Sequence, residues 1–175
     1  MALGRFCSVA VLAGSMLGAS VSTGFSAKDS ATTTSGLPLP RYVSLKSDHV
    51  NVRAGPTKDN DVAWVYTRSG LPVEITAEFE NWRRVRDSEG AEGWVYHSLL
   101  SGRRTAVVTR KTRDELAPLY ERADPSSAVA ARLQAGVVAQ VKKCAAGWCR
   151  VTGNGFDGWI EQQRLWGVYA DEKVE

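Results

Sequence analysis

The sequence predicts an all-β protein built from two small β-barrels in tandem, and two observations lead to this fold class. Beyond Arg41 the chain consists of short runs rich in Val, Trp and Tyr, separated by Gly, Pro and Asn, and no run keeps the apolar period of a helix. Most of this pattern then occurs a second time along the chain. Each copy is long enough to bury a modest core of its own.

Residues 1–27 are typical of a secretory signal peptide. A basic residue, Arg5, precedes a short apolar run that ends near Ala19, and small and polar residues follow. The apolar run is short for a membrane span, so we expect cleavage and no stable membrane insertion afterwards. Position 15 is a serine where a lipid-anchored protein needs a cysteine. The predicted location is therefore periplasmic or secreted, with the cleavage point left open.

The remaining chain divides into four parts. Residues 28–40 are small, polar and closed by two prolines, which is typical of a flexible linker. The first barrel is expected over 41–101 and the second over 105–168. Residues 169–175 form a C-terminal tail.

Within the first copy the sequence predicts a series of short strands along the chain. Five short strands of this kind close best into a small barrel, which also protects their edges. The predicted strands and the short closing turn are 61–67, 71–80, 82–87, 93–96 and 97–100.

The repeat itself is visible at nine positions. Those of the first copy are Gly70, Val73, Ile75, Trp82, Val85, Gly93, Trp94, Val95 and Leu100. Their partners in the second copy are Gly136, Ala139, Val141, Trp148, Val151, Gly158, Trp159, Ile160 and Leu165. The spacing slips by one residue between Val151 and Gly158, where a turn tolerates a change of length.

Three motifs of the first copy resemble the bacterial Src-homology-3-like (SH3-like) domain. They are "VNVRAGP", "ENWRRV" and "EGWVYHSLL", and they occur in the order that this domain has. The second copy matches only in its later half, through "GWCRV" and "DGWIEQQRLW", and has "APLYERADP" in place of the first motif. The resemblance implies barrels of five or six strands and a binding role. In other bacteria such modules tether cell-wall hydrolases to peptidoglycan.

The cysteines favour a disulfide. Cys7 lies in the signal peptide, which leaves Cys144 and Cys149 together in an oxidising compartment. A zinc site needs two more ligands, and His49 and His97 lack the spacing of a zinc motif. Thioredoxin-type redox pairs have two intervening residues, whereas this pair has four.

The repeat aligns the two cysteines with a pair of oppositely charged residues in the first copy. The two cysteines align with Glu78 and Arg83, so the first copy has opposite charges where the second is expected to have a covalent bond. If Val141 and Val151 both face the core, a direct disulfide is out of phase with them. A bulge or an irregular loop is therefore required for the bond to form.

Charge is spread evenly along the chain, which argues against nucleic-acid binding. The net charge is +3, and residues 41–104 carry ten Lys/Arg against nine Asp/Glu, as do residues 105–175. A nucleic-acid binder concentrates basic side chains on one face, because neutralising phosphates supplies most of its affinity. The densest basic run, 103–113, is typical of a solvated strand and linker.

No set of residues predicts catalysis. A hydrolase needs a nucleophile, a base and an orienting group, and neither His49 nor His97 has a recognisable nucleophile partner. No Gly-rich phosphate loop follows a strand and opens a helix. We therefore expect a protein that is not an enzyme and that has no metal or cofactor.

The first copy carries the candidate binding residues. In the SH3 fold a tryptophan at the start of the third long strand lines the ligand groove, which here implicates Trp82, with Tyr96 adding aromatic area. Arg53 is either a partner for an anionic ligand group or part of an ion pair with an aspartate of its loop, the three candidates being Asp48, Asp59 and Asp61.

Trp64 and Tyr66 are two further candidates. Aligned on the repeat, Ala63 and Val65 match the apolar residues Val129 and Ala131, so the two-residue period of a strand turns Trp64 and Tyr66 away from the core. On that face they either pack against the other barrel or form an exposed aromatic binding surface.

These features favour an exported, non-catalytic binding module that recognises cell-wall peptidoglycan peptides through its first copy. The alternative is a periplasmic protein–protein adaptor or structural protein with no wall binding. The expected partner is thus peptidoglycan or a periplasmic protein.

The mature chain is expected to begin between residues 20 and 28, because the small residues that follow the apolar run suit signal cleavage. N-terminal sequencing of the protein recovered from the periplasm or the medium measures this start. A membrane-bound product that still begins with Met1 contradicts the prediction.

Overall fold

The computed structural model describes residues 33–110 and 116–175, so the predicted signal peptide and the first part of the linker lie outside the described residues. The described chain is all-β, with two antiparallel sheets of seven strands each and two short 3₁₀ turns. This confirms the predicted fold class. None of the helical segments in these residues has the length and apolar character needed to cross a membrane.

The first sheet forms the first barrel. Its strands are β1 (Arg41–Leu45), β2 (Val50–Arg53), β3 (Val62–Tyr66), β4 (Pro72–Phe79), β5 (Trp82–Arg86), β6 (Glu92–Tyr96) and β7 (Leu100–Ser101). They pair in the order β3-β2-β6-β5-β4-β1-β7, and a 3₁₀ turn over His97–Leu99 connects β6 to β7. The side chains that alternate inward form one apolar core: Leu45, Val50, Val52, Tyr66, Val73, Ile75, Val85 and Val95.

The second sheet repeats this plan. Its strands are β8 (Thr105–Val108), β9 (Ala117–Tyr120), β10 (Val129–Leu133), β11 (Val138–Ala145), β12 (Trp148–Gly153), β13 (Phe156–Glu161) and β14 (Leu165–Trp166). They pair in the order β10-β9-β13-β12-β11-β8-β14, which is the order of the first sheet position by position. A separate apolar core lies within this sheet. The two predicted copies are therefore two barrels of one topology.

A glycine precedes a tryptophan at the same place in both barrels, because two strands approach closely there. A Cβ atom on Gly93 would lie 2.4 Å from Cγ1 of Val52, and one on Gly158 would lie 2.7 Å from the carbonyl oxygen of Tyr120. Any side chain at these positions would push β6 from β2, or β13 from β9. The repeated Gly-Trp pair is thus a packing requirement of the fold.

The two cysteines form the predicted disulfide. Cys144 and Cys149 face each other across β11 and β12, with 2.02 Å between the sulfur atoms and 4.1 Å between the Cα atoms. The register shifts between Val141 and Lys143, so the expected irregularity is present. The equivalent strands β4 and β5 have the same shift after Ile75. The bulge therefore belongs to the fold of both barrels and does not depend on the disulfide.

An ion pair occupies the place of the disulfide in the first barrel, as the repeat predicted. Oε1 of Glu78 lies 3.1 Å from Nε of Arg83 and 2.6 Å from Nη2 of Arg41. The backbone N–H and the hydroxyl of Ser35 also donate to this carboxylate, at 2.8 and 2.7 Å. Burial acts to raise the pKa of Glu78, but the hydrogen bonds from Ser35 and Arg41 outweigh it and lower the pKa to about 2.

Both terminal segments contact a long strand, β4 at one terminus and β11 at the other. Leu39, in the expected flexible linker, packs against the first core, and Ser35 binds Glu78 on β4. At the other terminus, Val174 pairs with Cys144 on β11 through N–H···O distances of 2.9 and 3.1 Å. The linker residues from 33 onward and the C-terminal tail thus make specific contacts, where the sequence suggested a flexible linker. At Cys144 this pairing satisfies backbone groups of the strand edge that would otherwise face solvent.

The predicted orientation of Trp64 and Tyr66 is wrong. Tyr66 is 9% exposed and belongs to the first core, Trp64 packs against that core, and Val65 between them is 36% exposed. The physical reason is one extra residue in the loop that follows β3. Strands β3 and β10 begin at positions 62 and 129, 67 residues apart, whereas β4 and β11 begin at 72 and 138, 66 apart. Applying the 66-residue spacing to β3 inverted its two faces.

The two barrels contact each other through an aromatic cluster. The ring of Tyr42 lies 5.1 Å from that of Trp166 and 4.6 Å from that of Tyr169. The Tyr169 hydroxyl donates to Oε1 of Glu74 at 2.8 Å, and Glu74 also accepts from Arg86. Burial, followed by Glu74, raises the pKa of Tyr42 to about 12, so its hydroxyl stays neutral.

Replacing Cys149 with serine is expected to lower the free energy of unfolding of the second barrel by about 2 kcal/mol, because a short ring no longer restricts the unfolded chain. Urea unfolding under non-reducing conditions measures the loss. Reductant should destabilise the wild type by a similar amount and leave Cys149→Ser unchanged. Two free thiols in the folded wild type, detected by mass spectrometry, contradict the bond.

Replacing Glu78 with glutamine is expected to destabilise the first barrel by roughly 2 kcal/mol at pH 7, because charge-assisted hydrogen bonds to Arg41 and Arg83 are lost. The pKa of Glu78 falls from 4.5 unfolded to about 2 folded, so the stabilisation is complete above about pH 4.5 and is lost as pH falls towards 2. Unfolding midpoints of wild type and Glu78→Gln should therefore converge at low pH. Glu89→Gln, at an exposed carboxylate, serves as the control, and an equal gap at pH 7 and pH 2 contradicts the assignment.

Candidate functional site

Three of the predicted binding residues lie together in one shallow groove on the first barrel. Arg53, Trp82 and Tyr96 line a cavity of about 170 Å³. Asn51, Lys58 and Leu99 complete its lining. The groove thus draws on strands β2, β5 and β6, on the loop that follows β2 and on the 3₁₀ turn. We call this set of six residues the first groove.

The aromatic wall of the first groove follows from strand register. Trp82 opens β5 and Tyr96 ends β6, and the two residues are direct cross-strand partners. Their rings are 5.4 Å apart at 83°, an edge-to-face arrangement that is favourable for aromatic pairs. Trp82 is 8% exposed, so it presents an edge to the groove, while Tyr96 is half-buried. The ring of Tyr96 also lies 5.0 Å from His97.

The opposite wall of the first groove is cationic. Nη1 of Arg53 donates to the carbonyl oxygen of Asn60 at 2.6 Å, which ties the arginine to its own loop. Within the described chain Arg53 forms no ion pair with Asp48, Asp59 or Asp61, and Lys58 forms none with any carboxylate. No acidic residue lines the groove. Its two positive charges are therefore available to an anionic group.

Trp64 and Tyr66 do not line the first groove. The Tyr66 hydroxyl donates to Oδ2 of Asp87 at 3.0 Å, and its ring meets Trp64 edge to face at 6.0 Å. Burial, followed by the charge of Asp87, raises the pKa of Tyr66 above its usual value. Trp64 instead covers Gly93, where a Cβ atom would lie 3.0 Å from its ring. These two residues support the barrel wall behind the groove.

The second barrel has the same frame with different chemistry. Trp148, the partner of Trp82, meets Tyr120 edge to face at 5.6 Å, and Tyr120 occupies the position that Arg53 has in β2. Glu161 occupies the position of Tyr96 and pairs with Arg164 at 3.3 Å. A larger cavity of about 400 Å³ beside Trp148 is lined partly by the C-terminal segment. The cationic wall of the first groove is thus absent from its equivalent.

Sequence reasoning missed three groove residues for different reasons. Asn51 lies two positions before Arg53 on β2, so the two-residue period of a strand could have found it. Lys58 lies in an irregular loop and Leu99 in a 3₁₀ turn, where no period applies. The sequence therefore has no pattern that places Lys58 or Leu99 beside Trp82.

The described residues offer no metal centre. They contain no group of three or more His, Cys, Asp or Glu side chains that could hold a metal ion. The groove itself offers aromatic surface, two cations and an amide side chain. This set suits non-covalent recognition of an extended, anionic ligand.

Comparisons with known proteins agree with this fold. NlpC2 and NlpC1 from Trichomonas vaginalis are solved structures that match 73% and 72% of this chain, at 15% and 16% sequence identity. Both have a TM-score of 0.32, and the match covers 48% and 45% of their own chains, so this chain spans less than half of either. That likeness carries no argument about function, and no curated protein sequence matches the chain. Residues 46–102 and 113–167 match the family described as Bacterial SH3 domain, so the chain belongs to that family, with two copies of its domain.

Proposed function

We propose that the protein is an exported, non-catalytic binding module whose first groove recognises peptides of cell-wall peptidoglycan. The observation that supports this most directly is the convergence of Arg53, Trp82 and Tyr96 on one groove. Family membership supports a binding role, because the bacterial SH3 domain is a binding domain.

The chemistry of the first groove favours a carboxylate-bearing ligand. Arg53 and Lys58 supply positive charge on one wall, and the Trp82–Tyr96 pair supplies a rigid aromatic surface on the other. A guanidinium group matches the geometry of a carboxylate, and an aromatic pair buries apolar area at little entropic cost. Peptidoglycan peptides carry free carboxylates beside small aliphatic side chains, so they fit both walls.

The size of the groove favours a peptide over a compact small molecule. Sites that enclose a drug-sized ligand have volumes of roughly 300–1,000 Å³. The first groove has about 170 Å³ and is open, so it accommodates one side chain or one terminal group at a time. The rest of an extended ligand would lie along the outer face of β2, β6 and β5.

Substituting the groove residues is expected to weaken retention on purified wall sacculi. Tyr96→Ala removes half of the aromatic pair and should weaken binding by about ten-fold, which corresponds to a moderate hot spot. Lys58→Gln leaves the fold untouched because its side chain is exposed, and should weaken binding by about three-fold. Co-sedimentation of the full chain with sacculi over a range of concentrations measures both effects.

The second barrel supplies the matched controls. Tyr120→Ala removes the ring that pairs with Trp148, and Arg132→Gln removes one exposed positive charge, so both should leave retention unchanged. Circular dichroism verifies that each variant is folded. Loss of retention in Tyr120→Ala alone would place the site on the second barrel. A wild-type chain that stays in the supernatant contradicts wall binding and favours the protein–protein adaptor.

A further inference from the structure

A second basic cavity lies on the first barrel, away from the first groove. It has a volume of about 180 Å³ and shares no lining residue with the first groove. Its polar lining comes from two cations and three serines: Ser44, Lys46, Ser69, Ser101 and Arg103. We call this cavity the serine pocket.

Strand pairing explains why these residues meet. Ser44 on β1 and Ser101 on β7 are direct cross-strand partners. Because alternate residues share a face, Lys46 lies beyond this serine pair in one direction and Arg103 in the other. The turn that contains Ser69 is fixed beside them, since the N–H of Gly70 donates to the carbonyl oxygen of Leu45 at 2.8 Å. Two flexible cations therefore flank a fixed pair of hydroxyl groups.

The donors of the serine pocket are unused. Ser44 lines this pocket, and its hydroxyl forms no hydrogen bond within the described residues. The side chains of Lys46 and Arg103 likewise form no ion pair or hydrogen bond in this part of the chain. The Ser101 oxygen accepts from the backbone N–H of Arg103 at 3.2 Å, which leaves its own O–H free to donate. These donors are therefore available to a ligand in the pocket.

The second barrel lacks these groups although its backbone is equivalent. Val107 and Trp166 form the cross-strand pair that corresponds to Ser44 and Ser101. Trp166 packs there against Tyr42 of the first barrel, as part of the contact between the two units. The fold therefore does not require polar residues at these positions.

We propose that the serine pocket binds a phosphate group. Hydroxyl groups and cations donate hydrogen bonds, so the ligand must supply several acceptor oxygens and negative charge. A phosphate offers three or four oxygens to the serines, Lys46 and Arg103, whereas a carboxylate offers two. The volume accommodates one such group with its ester substituent pointing outward. This site is independent of the proposed recognition of wall peptides.

Titration of the full, ¹⁵N-labelled chain with inorganic phosphate at constant ionic strength tests the proposal. Saturable amide shifts are expected at residues 44–46 and 101–103. Methyl phosphate should bind about as tightly as inorganic phosphate, whereas dimethyl phosphate and acetate should bind more weakly because each carries a single negative charge. Preference among the first three probes distinguishes a free phosphate from a monoester or a diester. Shifts that do not saturate, or equal affinity for acetate, overturn the proposal.

Substitutions separate a built site from general attraction of anions. Lys46→Gln combined with Arg103→Gln should weaken phosphate binding by at least about ten-fold, because both charged donors are lost. Arg132→Gln combined with Lys142→Gln removes the same charge from exposed positions of the second barrel and should change affinity by less than about two-fold. An equal loss in both pairs overturns the proposal.

A neutral substitution tests the buried hydroxyl, and a groove variant tests independence. Ser44→Val introduces the residue type of the second barrel and should weaken phosphate binding several-fold without changing net charge. Unchanged affinity in this folded variant would show that the hydroxyl is not a contact and would overturn the pocket as described. Tyr96→Ala should bind phosphate as the wild type does, so failure of wall binding does not affect this result.

Discussion

A cross-strand link at the tip of each long hairpin holds the groove wall in place. We call this link the clamp: it is the Glu78–Arg83 ion pair in the first barrel and the Cys144–Cys149 disulfide in the second. In the first barrel, Arg83 bonds to Glu78 and also donates to the carbonyl oxygens of Glu80 and Trp82, at 2.9 Å in both cases. The residue that forms the aromatic wall is therefore attached directly to the clamp. In the second barrel Cys149 follows Trp148, so the disulfide fixes the equivalent position. The bulge before each clamp brings these side chains into register.

The two clamps make different demands on the rest of the chain. A buried carboxylate is costly unless several donors replace its water, and Glu78 obtains them from Arg41, Arg83 and Ser35. Ser35 lies upstream of the barrel, so this ion pair requires an ordered linker. The disulfide needs no such donors, and the C-terminal tail meets Cys144 only through backbone hydrogen bonds from Val174. We therefore expect the first barrel to be sensitive to acid and to changes in its upstream segment, and the second to reduction.

The repeat in the sequence was enough to predict two barrels of one kind, an irregularity beside the disulfide and the opposite charges in its place, whereas the disulfide itself was predicted from export and from the two remaining cysteines. These features depend on side-chain periods and on residues that occur at matching positions. The faces of β3 were inverted because one extra residue lies in the following loop, and the comparison of the two copies missed this shift. The contact between the barrels through Tyr42, Trp166 and Tyr169 has no counterpart within a copy, so no repeat argument could reveal it. In the groove, Lys58 escaped prediction because its loop has no period.

The two barrels keep one frame and differ on one outer face. Arg53 and Tyr96 of the first barrel correspond to Tyr120 and Glu161 of the second. The first barrel therefore has a charged residue on β2 and an aromatic ring on β6, whereas the second has the ring on β9 and the charge on β13. The neighbouring tryptophan is present in both barrels. The backbone pairing around them is the same. A difference in binding between the barrels must therefore come from these side chains and from the loop carrying Lys58. The contact between the barrels, through the Tyr169–Glu74 hydrogen bond and the Tyr42–Trp166 ring pair, uses none of the residues that line the first groove.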